Sequence, residues 1–300
     1  MNADAALFPG FESRRIDGAG ATIACIVGGS GPPVLLLHGY PQTHAMWHRV
    51  APELARTRTV VAADLRGYGD SSKPRSDDTH AAYAKRVMAA DMVAVMRALG
   101  HARFDLVGHD RGGRVAHRLA ADHADAVRRV AVLDIAPTYA MYAKTDLRFA
   151  KAYYHWFFLI QPNGLPERLI GHDPDGYLMT KIGGWGSAGT SFFDRRAVDE
   201  YLRCYRDPAT IHATCEDYRA SASIDLEHDA ADREAGRRLR MPLLALWGER
   251  NRVTHGIYDT LAEWREVADD VRGGPIPSGH YLPEEAPEAT LAALRPFLDG

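Results

Sequence analysis

The sequence predicts an α/β fold in which a mostly parallel central sheet is flanked by helices. Short runs rich in β-branched residues alternate with longer helical patterns, which is typical of this class. One helical pattern places Met88, Met92, Val95 and Leu99 four, three and four positions apart, so that one face of the segment is apolar. The chain has 300 residues, enough to bury a large core with a further piece inserted into it.

The predicted strands and helices follow one another along the chain. Each strand prediction rests on a short apolar run, and each helix prediction on apolar residues three and four apart. Gly100 is expected to end the first long helix, because glycine readily adopts the conformation of a C-terminal cap. The predicted strands cover residues 21–27, 33–38, 59–64, 104–108, 130–134, 241–247 and 270–276, and the helices cover 88–99, 112–127 and 287–298.

The alternation of strands and helices stops in the middle of the chain. Residues 137–238 are rich in aromatic side chains, glycine and charge, with helical patches but no strand pattern. We therefore predict a helical cap over residues 137–238, inserted into a core that is built from residues 1–136 and 239–300.

Composition excludes several classes of protein. Hydrophobic residues make up 46% and charged residues 25%, as in ordinary globular proteins, and the net charge of −3 favours neither nucleic acid nor an anionic membrane as partner. No signal-like or membrane-spanning apolar run occurs. The three cysteines, Cys25, Cys204 and Cys215, lack metal-like spacing. We therefore expect a cytoplasmic protein without a disulfide framework or a zinc site.

Residues 108–113 read Gly-His-Asp-Arg-Gly-Gly and lie between a predicted strand and a predicted helix. This is the pattern of a turn that presents a nucleophile, with Asp110 where an esterase has serine. Glycines on both sides let the strand and the helix approach closely. The N–H groups at the start of the helix favour an ionised Asp110 carboxylate. The alternative is that Asp110 only caps the helix.

A second segment, His38-Gly39-Tyr40-Pro41, directly follows a predicted strand. In enzymes with such a nucleophile turn, this loop supplies one backbone N–H of the oxyanion hole, here that of Tyr40. The other would come from Arg111, the residue after the nucleophile. Residues 64–72, with turn glycines and possible Arg–Asp pairs, are interpreted as structural.

His280, in Ser278-Gly279-His280-Tyr281, follows the last predicted strand and completes the order nucleophile, acid, histidine. A histidine base needs a carboxylate on its other ring nitrogen. The usual place for that acid is a Trp-Gly-x-x-Asp loop, but here the last position is Asn251. We predict Asp134, at the end of an apolar strand, with Glu249 as the alternative; Asp134 could also be a simple helix cap.

Taken together, the segments 38–39, 64–70, 108–113 and 278–280 resemble the branch of the α/β-hydrolase superfamily that holds epoxide hydrolases and haloalkane dehalogenases. The resemblance implies an α/β-hydrolase fold with an inserted cap and an ester intermediate. Those two groups typically have tryptophan after the nucleophile, whereas this chain has Arg111. With Arg114 included, the turn is similar to that of the haloacetate dehalogenases.

Arg111 and Arg114 are three positions apart at the start of a predicted helix and so share one face beside Asp110. Two guanidinium groups there could hold a small carboxylate by bidentate hydrogen bonds. A haloacetate has such a carboxylate and a haloalkane has none. The alternative, an ion pair of Arg114 with Asp110, would neutralise the nucleophile.

The predicted cap carries a run of aromatic residues at 153–158, for which packing is the default interpretation. The resemblance implies that His155, Trp156 and Tyr218 line a halide pocket, where their N–H and O–H groups would bind the departing halide. Trp185 could form a wall of this pocket.

The resemblance therefore implies hydrolytic dehalogenation of haloacetates, for example of fluoroacetate to glycolate and fluoride. Asp110 would form the ester, and water activated by His280 would hydrolyse it, with no metal or organic cofactor. One rival is an epoxide hydrolase with the same machinery, whose proton donors would be Tyr153, Tyr154 or Tyr218; Arg111 counts against it. Another is a binding protein without activity. A homodimer is expected from the family alone.

Overall fold

A computed structural model describes residues 3–251, 253–254 and 256–300. Over these residues the strands form a single sheet in the order β1-β2-β4-β3-β5-β6-β7-β8. Pairs β1–β2 and β2–β4 are antiparallel, and all other neighbouring pairs are parallel. The strands are β1 Glu12–Asp17, β2 Thr22–Gly28, β3 Pro33–Leu37, β4 Thr59–Ala63, β5 Phe104–His109, β6 Val127–Leu133, β7 Leu243–Gly248 and β8 Val271–Ile276.

The seven predicted strands are confirmed to within a few residues, and the structure adds β1. Central strands such as β5 are buried along their whole length, which is why they appear in the sequence as continuous apolar runs. β1 has the sequence Glu-Ser-Arg-Arg-Ile-Asp and is largely exposed at the edge of the sheet. Backbone hydrogen bonds to β2 hold the strand in the sheet. Because its side chains are exposed, the sequence of β1 shows no apolar pattern.

Helices flank the sheet, and two of the three predicted helices, 88–99 and 287–298, are confirmed. Gly100, at φ 84°, follows helix α3, and its N–H donates to the carbonyl of Arg97, as expected of a C-terminal cap. The core helices are α1 Ala3–Leu7, α2 Ala51–Leu54, α3 Lys85–Ala98, α4 Arg111–Asp122, α13 Thr260–Arg265, α14 Leu282–Glu285 and α15 Pro287–Asp299.

The prediction of one helix over residues 112–127 was wrong at its C-terminal end. Helix α4 stops at Asp122, a 3₁₀ turn covers Ala124–Ala126, and Val127 already belongs to β6. Val127 pairs with Phe104 of β5. The chain therefore enters the sheet at this position instead of continuing as a helix.

Between β6 and β7 the chain forms eight helices and no strand in the part that the structure describes. This agrees with the helical character predicted for residues 137–238, while their status as a separate cap domain stays a prediction. The helices are α5 Thr138–Ala143, α6 Leu147–Ala152, α7 His155–Phe158, α8 Leu165–His172, α9 Pro174–Ile182, α10 Arg195–Tyr205, α11 Pro208–Ser221 and α12 Ile224–Glu234.

The residues predicted for catalysis follow the carboxyl ends of parallel strands. The nucleophile candidate comes directly after β5, its proposed acid after β6 and the candidate base shortly after β8. The register pairs Leu37 with Gly108 and His109 with Leu133, which brings these strand ends to one edge of the sheet. That edge is where ligands usually bind in open α/β sheets.

Residues 64–72 form turns beside this edge. Gly67 and Gly69 have positive φ angles of 85° and 51°. The guanidinium of Arg66 pairs with Asp91 on α3, with Nε 2.6 Å from Oδ2, and so joins this segment to a helix outside it. In the part of the chain that the structure describes, no helix has the length and apolar composition needed to cross a membrane.

Candidate active site

Asp110 lies on a strained turn between β5 and α4. Its backbone angles, φ 44° and ψ −113°, are unusual for a residue with a side chain, and such strain is concentrated at functional sites. A Cβ atom on Gly108 would lie 2.4 Å from the carbonyl oxygen of Gly112, and one on Gly112 would lie 2.4 Å from that of His38. The turn therefore requires glycine at both positions.

The side chain of Asp110 does not cap α4, in contrast to the simple alternative. Its Oδ2 atom instead accepts a hydrogen bond of 3.1 Å from the backbone N–H of Tyr40. Asp110 is only 8% exposed. Burial raises its pKa, but the charges of His280, Arg114 and Arg111 outweigh burial and hold the pKa below its ordinary value. Asp110 is therefore ionised at neutral pH.

His280 and Asp134 form a buried pair. His280 Nδ1 lies 2.5 Å from Asp134 Oδ2. The second carboxylate oxygen, Oδ1, accepts a hydrogen bond of 2.9 Å from the N–H of Gly248. Burial alone would lower the pKa of His280, but the hydrogen bond and charge of Asp134, together with the charge of Asp110, raise it above the ordinary value.

The loop after β7 completes the surroundings of Asp134. Asn251, at the position where an acid was expected, donates from its Nδ2 atom to Asp134 Oδ2 over 2.5 Å. Glu249, the alternative acid, is exposed. The structure thus places Asp134, and not Glu249, against His280.

His109 was not singled out in the sequence, although it precedes Asp110 in the nucleophile turn. Its Nε2 atom donates to the backbone carbonyl of His280 over 2.8 Å. Burial and the neighbouring His280 lower the pKa of His109 to about 3, so it stays neutral. His109 therefore ties the backbone of the candidate base to the strand that carries Asp110.

Arg111 is held by a residue that the sequence did not indicate, Asp217 on α11. Arg111 Nε lies 2.8 Å from Asp217 Oδ2, and Nη2 lies 2.8 Å from Oδ1, so the pair is bidentate. Asp217 also accepts from Lys85 and, at 2.6 Å, from the hydroxyl of Tyr68. The third nitrogen, Arg111 Nη1, is buried and has no hydrogen-bond partner among the described residues.

Arg114 differs from Arg111 because no carboxylate within the described ranges forms an ion pair with it. Its Nη1 atom donates to the hydroxyl of Thr138 at 3.0 Å and to the carbonyl of Ala136 at 3.3 Å. Its Nε atom is buried and has no partner in the part of the chain that the structure describes. The guanidinium lies 4.7 Å from the ring centre of Trp156. A direct ion pair of Arg114 with Asp110, the alternative weighed from the sequence, is therefore not formed.

Aromatic side chains from the inserted helices surround this region. The ring of His155 lies 4.9 Å from that of Trp185, 5.6 Å from that of Tyr218 and 6.0 Å from that of Tyr40. The ring of Trp156 lies 6.3 Å from that of Tyr218. The structure thus brings all three predicted halide ligands and the predicted wall, Trp185, into one cluster.

The charges in this cluster are set by burial and by the cations around it. Burial, followed by the charges of Lys181 and His280, lowers the pKa of His155 well below its ordinary value. Its Nδ1 atom has no hydrogen-bond partner among the described residues. The guanidinium of Arg111 lies 4.2 Å from the ring centre of Tyr218. His155 is therefore a neutral imidazole with cationic groups around it.

Comparison with known proteins identifies the family of the chain. Residues 32–287 match the family of the alpha/beta hydrolase fold. The chain belongs to this family. The α/β-hydrolase fold that the sequence predicted is thereby confirmed.

Two relatives within the family bear on the chemistry. A fluoroacetate dehalogenase from Burkholderia sp is 48% identical over 292 residues, which cover 97% of this chain and 95% of that protein. A soluble epoxide hydrolase from Corynebacterium sp. (strain C12) is 34% identical over 278 residues, 91% of this chain and 92% of the relative. Both lie in the branch that the motifs indicated.

Solved structures agree at the level of the whole fold. The crystal structure of an alpha/beta hydrolase from Nostoc sp PCC 7120 superposes with a TM-score of 0.94 at 56% identity, covering 96% of this chain and 98% of that one. An epoxide hydrolase solved without ligand gives a TM-score of 0.85 at 30% identity, with 96% and 99% coverage.

Proposed function

We propose that this protein is a haloacetate dehalogenase that converts fluoroacetate to glycolate and fluoride. The observation that carries the proposal is the pair of buried arginines beside Asp110. Arg111 Nη1 and Arg114 Nε both lack a partner among the described residues, and no described carboxylate pairs with Arg114. A small substrate that brings its own carboxylate would satisfy these donors, whereas an epoxide or a chloroalkane would leave them unpaired.

In the first step, the substrate carboxylate binds Arg111 and Arg114 and thereby holds the α-carbon against an oxygen of Asp110. The carboxylate oxygen of Asp110 attacks the α-carbon and forms a new C–O bond. The halide leaves with the electron pair of the carbon–halogen bond. Fluoride is a poor leaving group and needs several donors. We assign this role to the side chains of His155, Trp156 and Tyr218.

In the second step, His280 removes a proton from water, which attacks the carbonyl carbon of the Asp110 ester. The N–H groups of Tyr40 and Arg111 stabilise the oxyanion. The bond between this carbon and the glycolate oxygen then breaks, glycolate takes the proton from His280, and the water proton left on the Asp110 carboxyl group is released to solvent. Asp134 keeps the imidazole in the right tautomer and stabilises its charged form. One oxygen of the regenerated Asp110 carboxylate comes from water.

We assign the inserted helices, predicted as a cap over residues 137–238, the task of closing this site. They contribute Asp217, which fixes Arg111, and the aromatic cluster around His155. Exclusion of water by such a cover strengthens each electrostatic contact inside. The homodimer and the cytoplasmic location expected above also belong to this proposal, and light scattering of the purified protein tests the dimer.

The decisive experiment measures halide release with an ion-selective electrode for fluoroacetate, chloroacetate and a chloroalkane, and diol formation from a small epoxide. We expect release from the haloacetates alone, and none from the variant Asp110→Asn. Diol formation without fluoride release would instead favour the epoxide hydrolase. Binding of fluoroacetate without turnover would favour a binding protein.

A single turnover in oxygen-18 water tests the ester itself. We expect the label to enter Asp110, because water attacks the enzyme carboxyl group rather than the substrate carbon. Label in glycolate alone after that first turnover would contradict the two-step mechanism.

A further inference from the structure

Lys181, in helix α9, carries a buried positive charge for which the mechanism has no use. Its side chain is only 5% exposed. Among the described residues, its Nζ atom forms neither a hydrogen bond nor an ion pair, and the groups around it are aromatic rings. Nζ lies 3.9 Å from the ring centre of Tyr154, 5.3 Å from that of Tyr177 and 5.9 Å from that of Trp185.

A buried ammonium group without an anion is expensive, because it loses much of its hydration. The aromatic rings offset part of this penalty through cation–π contacts. Packing of the lysine against Tyr154 is the simplest explanation. It does not explain why so little of this lysine is exposed without a carboxylate partner, since lysine is rarely buried unless it is paired.

The position of Lys181 relative to the candidate active site suggests a role. Tyr154, whose ring lies against Lys181 Nζ, is 48% exposed and so reaches the surface. Trp185 contacts both Lys181 and the site: its ring centre lies 5.9 Å from Lys181 Nζ, 5.2 Å from the ring of His280 and 4.9 Å from that of His155. Contacts therefore lead from the surface through Lys181 and Trp185 to the proposed halide ligands.

The charge of Lys181 acts on His155 in the candidate active site. After burial, it is the largest cause of the low pKa of His155. A small anion near Lys181 would thus be attracted toward the site before it meets the two arginines. Steering of this kind raises the rate of association without changing the chemical step.

We propose that Lys181, with Tyr154 and Trp185, forms an outer anion subsite that receives a small monocarboxylate before it passes Trp185 to Arg111 and Arg114. The proposal rests on the function proposed above for its substrate. The inner site holds the carboxylate for reaction, and the outer one collects it from solvent.

The kinetic experiment compares Lys181→Met, Lys181→Arg and a matched control, Lys151→Met, an exposed lysine in helix α6. For fluoroacetate we expect Lys181→Met to lower kcat/KM about 10-fold, with kcat nearly unchanged, and to weaken the decrease of kcat/KM with added salt. Lys181→Arg should restore most of the loss, and Lys151→Met should behave as the wild type. Unchanged kcat/KM and salt dependence in a folded Lys181→Met variant would overturn the proposal.

A binding experiment separates the subsite from the proposed reaction. In the Asp110→Asn background, acetate should change the tryptophan fluorescence, and Trp185→Phe should remove the part of the change that belongs to the outer subsite. Lys181→Met should remove the same part. If fluoroacetate is not turned over but this acetate response is present, the proposed function fails and the subsite stands. If turnover occurs and Lys181→Met leaves the response intact, the subsite fails alone.

Discussion

Asn251 donates a hydrogen bond from its side-chain amide to Oδ2 of Asp134 over 2.5 Å. The loop position at which an acid was expected therefore holds a residue that supports the acid from the neighbouring strand. With the N–H of Gly248 on Oδ1, both carboxylate oxygens are fixed in direction. This arrangement presents Oδ2 to the ring of His280.

We predict that Asp134→Asn lowers steady-state turnover of fluoroacetate by about 10³- to 10⁴-fold, because an amide neither fixes the tautomer of His280 nor stabilises its charged form. The first turnover should still release fluoride, since formation of the ester needs no base. Rapid-quench measurement of fluoride followed by mass spectrometry of Asp110 checks both expectations.

The control for this variant is Glu249→Gln, which removes the alternative acid. We expect it to keep wild-type turnover, because Glu249 is exposed and Asp134 already contacts His280. A large loss in Glu249→Gln together with an active Asp134→Asn would reverse the assignment.

The two arginines should respond differently to substitution. Removing Arg111 leaves Asp217 with Lys85 as its remaining cation in a buried site, so Arg111→Gln should lower the free energy of unfolding by about 3–5 kcal/mol. Arg114 has no carboxylate partner within the described part of the chain. Arg114→Gln should therefore have a much smaller effect on stability, which urea denaturation measures.

Arg114→Gln should instead weaken recognition of the substrate carboxylate. Loss of a hydrogen bond to a charged group weakens binding by about 1.5–3 kcal/mol, so the KM for fluoroacetate should rise by about 10- to 100-fold. Steady-state kinetics of Arg114→Gln and Arg114→Lys test this. An unchanged KM in Arg114→Gln would remove Arg114 from the substrate site.

The sequence was informative where local pattern and function coincide. Asp110 and His280 occupy turns with recognisable neighbours, and Asp134 is unusual because a carboxylate ends an apolar strand. Contacts between distant segments left no such trace. Asp217 meets Arg111 across 106 positions, and its neighbours along α11 do not indicate this partner. Strand β1 was missed because its residues are largely exposed, so that its backbone pairing with β2 leaves no apolar pattern in the sequence.

The pH dependence of the two chemical steps should differ. His280 acts as a base only when neutral, and Asp134 raises its pKa above the usual value of about 6.5. Hydrolysis of the ester should therefore increase with pH, with a midpoint above that value. His155 stays neutral throughout because its pKa is far lower, so fluoride release in the first turnover should lack this dependence.

Single-turnover and steady-state rates between pH 5 and pH 9 check this difference. In Asp134→Asn the midpoint of hydrolysis should move to lower pH, because the group that favours the imidazolium ion is lost. A midpoint that stays in place would show that another group titrates.

Glu284, in α14, should make stability depend on pH. Its carboxyl group is fully buried, with Gln42 Nε2 2.5 Å from Oε2 and the hydroxyl of Tyr201 3.0 Å from Oε1. Burial raises its pKa to about 8 from 4.5. Between these two values the folded protein keeps a proton that the unfolded chain has released, so the free energy of unfolding falls as pH rises through this window.

We expect Glu284→Gln to remove this pH-dependent part of the free energy of unfolding. Above pH 8 the variant should be more stable than the wild type, by on the order of a few kcal/mol. Urea denaturation at pH 5, 7 and 9 measures the slope for both proteins. The matched control is Glu288→Gln, one turn further along the chain and exposed, which should leave the slope of the wild type unchanged. Equal slopes in the wild type and Glu284→Gln would mean that Glu284 is already ionised in the folded protein, stabilised by its contacts with Gln42 and Tyr201.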